Sequence, residues 1–201
     1  MKIKVIPLGL YAANCYILID ENTKDASIID PGGDAKLLIK EIEKSEINPK
    51  YVLLTHGHMD HVGAVNEIKE EYSIPVYINL KDKKMIREGQ NVFGTMWRET
   101  PEDREINEGD ILTLGSLEIK CIETAGHTPG GMCFVVENVV FTGDTLFEGS
   151  IGRTDFVGGD FNTLIKNIKE KLIVLPEDTI VLPGHGPKSS IGYEKRNNPF
   201  L

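Results

Sequence analysis

The chain has 201 residues, 40% of them hydrophobic and 26% charged, which is ordinary for a soluble globular protein long enough to bury about 70% of its unfolded surface without disulfides. A formal net charge of −9 works against a phosphate-backbone partner, so nucleic acid is not the expected substrate. No apolar run approaches the roughly 20 residues of a membrane span, and the first residues lack the roughly 7–15-residue apolar stretch of a secretion signal.

Residues 1–6 alternate polar and apolar side chains and predict a strand. Residues 15–20 and 26–30 are short apolar runs with a turn between them, which predicts paired strands. Asp30-Pro31-Gly32-Gly33-Asp34 reads as a turn, with Asp34 capping a helix to about residue 45 whose inner face is Leu38, Ile39 and Ile42. Asn48-Pro49 stops the chain, and residues 51–54 form a short buried strand aimed at a histidine cluster. A helix over 62–72 and a strand over 74–78 follow. Residues 81–110 are irregular and charge-rich, with Phe93, Met96 and Trp97 scattered among them. They read either as a surface excursion whose aromatics pack back on the body or as a lid over a site. Strands are then predicted at 111–114, 117–122, 132–136 and 139–142, with Gly115-Ser116 and Glu137-Asn138 as hairpin turns. A helix over 162–171, a strand over 179–182 and a helical close over 189–197 complete the chain. Strand-rich stretches in both halves, each followed by helices, predict an α/β protein. Its two sheets would pack face to face with helices outside, in one domain over residues 1–201.

Chemistry concentrates in Thr55-His56-Gly57-His58-Met59-Asp60-His61, four metal-ligand side chains within six residues. His127 in Ala125-Gly126-His127-Thr128-Pro129, Asp144 in Thr142-Gly143-Asp144-Thr145 and His185 in Pro183-Gly184-His185-Gly186-Pro187 add three more, and account for all five histidines. Each follows a predicted strand, where a rigid scaffold holds side chains while loops expose them. His56 and His58, two apart in an extended turn, point the same way, whereas Asp60 and His61 start the next helix, displaced sideways. One motif thus offers two donors to each of two neighbouring metals. Imidazole and carboxylate donors without cysteine favour zinc, with iron or manganese also compatible. A pair of ions about 3.5–4 Å apart is the usual hydrolytic arrangement. Two divalent ions outweigh Asp60, Asp144 and a bridging hydroxide, and the remaining positive charge suits an anionic tetrahedral intermediate. Asp60 and Asp144 are the candidate catalytic carboxylates beside a metal-bound hydroxide. A serine triad is disfavoured, because Ser150, Ser189 and Ser190 lack a Gly-x-Ser-x-Gly setting. Cys15, Cys121 and Cys133 lie singly in apolar runs and read as core residues of a protein from a reducing, cytoplasmic compartment.

In the order His56-x-His58-x-Asp60-His61, His127, Asp144, His185, the chain resembles the metallo-β-lactamase superfamily over nearly its whole length. The resemblance implies a four-layer αβ/βα sandwich of two mixed sheets with outer helices and a dinuclear site at one edge. It places His56, His58 and His127 on one metal, Asp60, His61 and His185 on the other, and Asp144 between both, with two zinc ions as the expected cofactor. Secreted β-lactamases of the best-known type carry cysteine where Asp144 stands, and flavodiiron proteins carry glutamate where His58 stands. The stretch Gly149-Ser150-Ile151-Gly152-Arg153-Thr154-Asp155-Phe156 and the ending Asn198-Pro199-Phe200 are similar to the glyoxalase II group and its short relatives. That implies a hydrolase of small-thiol thioesters, of the hydroxyacylglutathione type. A thiol pKa of about 8.5 lets the leaving thiolate depart with little help from an acid. Full-length glyoxalase II carries a further helical domain that supplies much of its glutathione contact, so the thiol carrier is left open here.

Arg153, Trp97 and Lys188 are the candidate substrate contacts, with an ion pair to Asp155 as the competing role for Arg153. Asp30 reads as a turn former or a hydrogen-bond acceptor behind the donors. Two other functions fit the same residues. A persulfide dioxygenase would use one iron on His56, His127 and Asp144, and a non-catalytic domain would bind metal without turnover. The expected partner is a small-molecule thioester, with no nucleic acid and no membrane, acting on a monomer or small homo-oligomer.

Overall fold

The segment Ala13–Ile19 is buried at all seven positions, because its two faces serve two different cores. Tyr16 and Leu18 point into the layer between two sheets, and Cys15, Ile17 and Ile19 point under a layer of helices. A strand covered on both sides reads as a continuous apolar run rather than an alternating one. The computed structural model describes residues 1–201. Its first sheet contains β1 (Lys2–Leu8), β2 (Ala13–Ile19), β3 (Asp25–Ile29), β4 (Asn48–Leu53), β5 (Val76–Ile78) and β6 (Arg104–Glu105), hydrogen-bonded in that order. Strands β1 to β3 are antiparallel, and β3 to β6 are parallel. In the second sheet β7 (Ile111–Leu114), β8 (Leu117–Glu123), β9 (Met132–Val136) and β10 (Val139–Gly143) form a meander. After the small hairpin of β11 (Leu146–Phe147) and β12 (Ser150–Ile151), β13 (Ile180–Pro183) joins β10 in parallel and β14 (Ser189–Ser190) ends that edge.

Three cores result, as four layers require. Between the sheets, Tyr16, Leu18 and Leu53 meet Ile119, Phe134 and Phe141. Beneath the first sheet, Ile17, Ile28 and Val52 meet Leu38 and Ile42 of α1 (Ala35–Glu43) and Val65 and Ile68 of α3 (Val65–Tyr72). Outside the second sheet, Val140 and Val181 meet Leu164, Ile168 and Leu172. These last lie on α5 (Phe161–Asn167) and the π-helical turn Ile168–Leu172 that continues it. Each fully buried Leu, Ile or Phe contributes roughly 1.5–3 kcal/mol. The three cysteines are free and buried, one in each core, as their apolar surroundings indicated. No helix is long and apolar enough to cross a membrane.

The helix expected over 62–72 is two helices, α2 (Met59–Val62) and α3. Its ladder breaks where the Ala64 N–H donates to the Pro31 carbonyl at 2.9 Å instead of to its own helix. Within the segment expected to be irregular, Leu80–Arg87 is helix α4, with the Asn79 side chain accepting from the Lys81 N–H at its start. Its buried face includes Asp82 and Lys83, so the apolar stripe that would announce a helix is missing. The rest of that segment packs back on the body. Trp97 is buried and donates from Nε1 to Asp103 Oδ2 at 3.2 Å, which removes it from any substrate contact. The closing helix α6 (Ile191–Asn197) starts two residues later than expected, with Ser190 as its cap.

The sheets are clamped at the end opposite the Asp30 turn by Asp20, which follows β2. Its carboxylate accepts from the Asn22 N–H at 2.9 Å and from the Ser116 N–H at 2.6 Å, joining a hairpin of each sheet. The Ser116 and Asn22 amides hold its carboxyl down to about 2. A group depressed in the folded state stabilises above its unfolded pKa of about 4 and loses that contribution as pH falls toward 2. Asp20→Asn is therefore expected to lower the melting temperature at pH 7. Thermal unfolding of both proteins across pH should show the gap closing between about pH 4 and 2.

Candidate metal centre

Every donor singled out in the sequence lies on one edge of the sandwich, beyond the carboxyl ends of strands. His56 follows β4, His127 follows β8, Asp144 follows β10 and His185 follows β13 by one residue; Asp60 and His61 open α2. His56, His58 and His127 form one group of converging ligand atoms, and Asp60, His61 and His185 form another. In the first, His127 Nε2 is 3.0 Å from His58 Nδ1. In the second, His185 Nε2 is 3.1 Å from Asp60 Oδ2 and 3.4 Å from His61 Nε2. Asp144 lies between them. Its Oδ1 is 3.4 Å from His61 Nε2, and its Oδ2 is 3.6 Å from His127 Nε2 and 3.7 Å from His185 Nε2.

Hydrogen bonds behind the rings fix which nitrogen faces this space. His127 Nδ1 donates to the Arg153 carbonyl at 2.7 Å, so its Nε2 presents a lone pair. His61 Nδ1 donates to Asp30 Oδ2 at 2.9 Å, with the same result. The Thr55 hydroxyl donates to Asp30 Oδ2 at 2.5 Å, which leaves it to accept from His56 Nδ1 at 3.0 Å. Asp30 also accepts from the Thr55 N–H at 2.8 Å. Its oxygens also lie close to His56 and His61 as a third possible donor group, but they are committed to Thr55 and His61. It is a bracket behind the donors, as its place in the turn suggested.

The residues fit metal ions. His56 Nε2 and Asp144 Oδ1 are buried with no hydrogen-bond partner. An orphaned buried polar atom costs about 1–3 kcal/mol, which a cation in this space removes. Burial, with the neighbouring imidazoles, pushes His56 well below its ordinary range and His58 down to about 3, the neutral form a metal requires. His127 is lowered by burial too. For His61 burial opposes a proton, but the Asp144 and Asp30 carboxylates outweigh it and raise the ring; the bond to Asp60 raises His185. Burial of Asp144 is outweighed by His61, His127 and His185, which hold its carboxyl at about 2.

A cavity of about 350 Å³ opens onto the donors, walled by Tyr11, Met59, Val92 and Phe156 beside His58, Asp60, His127, Asp144 and His185. The wall at Val92 is set by residues 92–94, whose backbone runs along the histidine motif. The Met59 N–H donates to the Val92 carbonyl and the Gly94 N–H to the Gly57 carbonyl, each at 3.0 Å. Of the expected lid, only Val92 lines the cavity. A larger cavity, about 460 Å³, is lined by Lys69, Arg98 and Glu102 and contains none of the donors. Arg153 lines the site cavity as expected, stacked 3.8 Å over the Phe156 ring. It is also paired with Asp155 at 2.7 and 2.6 Å, in an exposed rather than buried ion pair. Lys188 is exposed and absent from the cavity wall.

Asn14 was not among the sequence candidates. Its backbone N–H donates to the Gly184 carbonyl at 2.7 Å, and its side chain to the Pro183 and Gly186 carbonyls at 3.0 and 2.9 Å. It thereby sets the turn that carries His185. A buried polar residue inside the run Ala13-Asn14-Cys15-Tyr16-Ile17 was the available signal.

Gly184 must lack a side chain, because a Cβ there would overlap Asp144 Oδ1 and stand 2.7 Å from His61 Cε1. Gly184→Ala is expected to keep the far-ultraviolet circular dichroism of the parent while binding fewer metal ions per chain by elemental analysis. Parental metal content in the variant would show that the turn tolerates the methyl and that the donors are less tightly packed than described.

The family model for the metallo-beta-lactamase superfamily matches residues 8–185. The hydroxyacylglutathione hydrolase GloC of Haemophilus influenzae is 44% identical, over 100% of this chain and 98% of its own length. Among solved structures, the B3 metallo-beta-lactamase BLEG-1 has a TM-score of 0.88 at 40% identity, covering 100% of this chain and 99% of its own. TTHA1623 in a di-iron-bound form has a TM-score of 0.86 at 33% identity, covering 98% and 100%. With its four layers, its edge cluster of donors and these likenesses, the chain belongs to the metallo-β-lactamase superfamily.

Proposed function

We propose that this protein is a dinuclear metallohydrolase of small-thiol thioesters, with His56, His58 and His127 on one ion, Asp60, His61 and His185 on the other, and Asp144 shared. The observation that carries the reading is the pair of converging donor groups with the Asp144 carboxylate between them, opening onto a cavity of about 350 Å³. Two converging donor groups favour a dinuclear hydrolase over the single-iron dioxygenase, which would leave the Asp60, His61 and His185 group without a purpose. The name of the Haemophilus relative supports a thioester. Imidazole and carboxylate donors are best matched to zinc, and the di-iron neighbour keeps iron as the alternative.

When bound, the paired ions supply activated water and positive charge for an oxyanion. The chain supplies the rest. Asp144, held ionised at about 2, offsets part of the cation charge and fixes the spacing of the two donor groups. Asp60, on the open side with His185, lines the cavity and can accept a hydrogen bond from the attacking water. Tyr11, Met59, Val92 and Phe156 make the apolar part of the wall, against which the acyl or thiol group would pack. The guanidinium of Arg153, held over Phe156, is the cation nearest to an incoming carboxylate, although Asp155 already offsets much of its charge. No side chain is needed to protonate the leaving group, since a thiolate departs without a general acid near neutral pH.

Zinc-loaded protein is expected to release thiol from S-lactoylglutathione, followed with a thiol-trapping dye, and His58→Ala and Asp144→Asn should each reduce kcat/KM by at least about 100-fold. Arg153→Gln should raise KM several-fold with little change in kcat, the mark of a binding contact. A panel with a β-lactam and glutathione persulfide under oxygen-electrode detection separates the alternatives. Two bound ions with β-lactam turnover and no thiol release, or one iron with oxygen uptake, would overturn the thioester reading.

A further inference from the structure

Asp82 is fully buried, yet it forms no ion pair. It lies in the first turn of α4, outside the donor set, and its neighbour Lys83 is engaged with Glu99 and Glu105. Its two oxygens are used on two different loops. Oδ2 accepts from the Gly57 N–H at 2.8 Å, and Oδ1 accepts from the Gly130 N–H at 2.6 Å. Gly57 stands between His56 and His58, and Gly130 stands three residues after His127. The two loops otherwise belong to different sheets, one leaving β4 and the other leaving β8. Both glycines pack closely on the helix that carries Asp82. A Cβ on Gly130 would stand 2.8 Å from Asp82 Oδ1 and 2.8 Å from Asn79 Oδ1, and one on Gly57 would stand 3.0 Å from Ile86 of the same helix.

We propose that Asp82 is a positioning residue for the metal centre, a single carboxylate that straps the His56–His58 turn to the His127 loop and so sets how His58 and His127 face one ion. The inference rests on reading the donors as a metal centre, not on the identity of the substrate. Burying an unpaired carboxylate works against folding, and burial pushes Asp82 up to about 6 despite its amide donors. A stability role alone would be served better by a neutral side chain of the same size. A neutral amide cannot hold this arrangement, in which each N–H meets a different oxygen, because Asn would turn its NH2 toward one of the two donors. The strap is also specific to one half of the centre. The Asp60, His61 and His185 group is held instead by Asp30 and by the Asn14-bound turn.

The test compares the full chain with Asp82→Asn, Gly130→Ala and Asp103→Asn. Asp103 is a control, a buried carboxylate bonded to Lys69, Trp97 and two backbone amides away from the donors. Zinc affinities for the two sites are measured by competition with a chromophoric chelator, cobalt-loaded spectra report ligand geometry, and melting of the metal-free proteins reports stability. Asp82→Asn and Gly130→Ala should each weaken one zinc by about 10-fold or more and shift the cobalt spectrum, with the second zinc near its parental affinity. Asp103→Asn should lower the melting temperature and leave both affinities unchanged. The proposal is overturned if Asp82→Asn leaves both affinities within about twofold of the parent. It is equally overturned if all three variants lose zinc only in proportion to lost stability, or if the parent binds no metal. Should Asp82→Asn not fold, Gly130→Ala decides by the same readings. Failure to hydrolyse thioesters with the selective zinc loss intact would instead retire the proposed substrate and leave the strap standing.

Discussion

Seven side chains with lone pairs or negative charge are brought to one edge of the sandwich, with Asp144 in their midst. Burial works against such a set, because carboxylates resist losing their hydration and a buried imidazole sheds its charge unless a carboxylate faces it. Here the rigid sheets hold the strands whose ends carry them, and the ring hydrogens are drawn backward to Thr55, Asp30 and the Arg153 carbonyl. The donor atoms are left facing a common space, where a cation would satisfy them together. The centre's chemistry follows from that crowding.

The supports behind the donors are of three kinds, each chosen by what the local backbone offers. Asp30 accepts three bonds at the end of β3 and keeps His61 and Thr55 in register. Asn14 and the Tyr16 hydroxyl, on β2, bind the carbonyls of the turn bearing His185, Tyr16 at 2.7 Å. Asp82, on a helix outside both sheets, joins the remaining two loops. Donors from strands of both sheets need such cross-links, since no strand ladder joins the two sheets.

The mouth of the site is less committed than its floor. On the floor His56, His58, His61 and His127 are buried, whereas Tyr11 and Met59 on the wall are exposed. Arg153 is shared between Phe156 and Asp155, so its charge reaches a ligand already attenuated. This arrangement suits a family in which one hydrolytic floor serves several substrates through changes in the rim.

Much of this was legible along the chain. The donor motif, the Gly-flanked His127 and His185 and the alternation of strands and helices identify the site residues and the layered α/β fold, because metal chemistry demands particular side chains and each strand face declares itself by period two. Asn14 could have been read as a polar residue inside an apolar run, while Asp82, set among lysines, looked like ordinary surface charge. The helix α4 is hidden for the same reason, and Trp97, a candidate substrate contact from the sequence, is held in the core by Asp103. The sequence by itself determined which atoms can bind a metal and roughly where strands end. Tertiary structure alone decided how closely the donors converge, which carboxylates stand behind them and which side chains reach the cavity, because those depend on how two sheets approach, a relation between residues more than a hundred positions apart that no local pattern encodes.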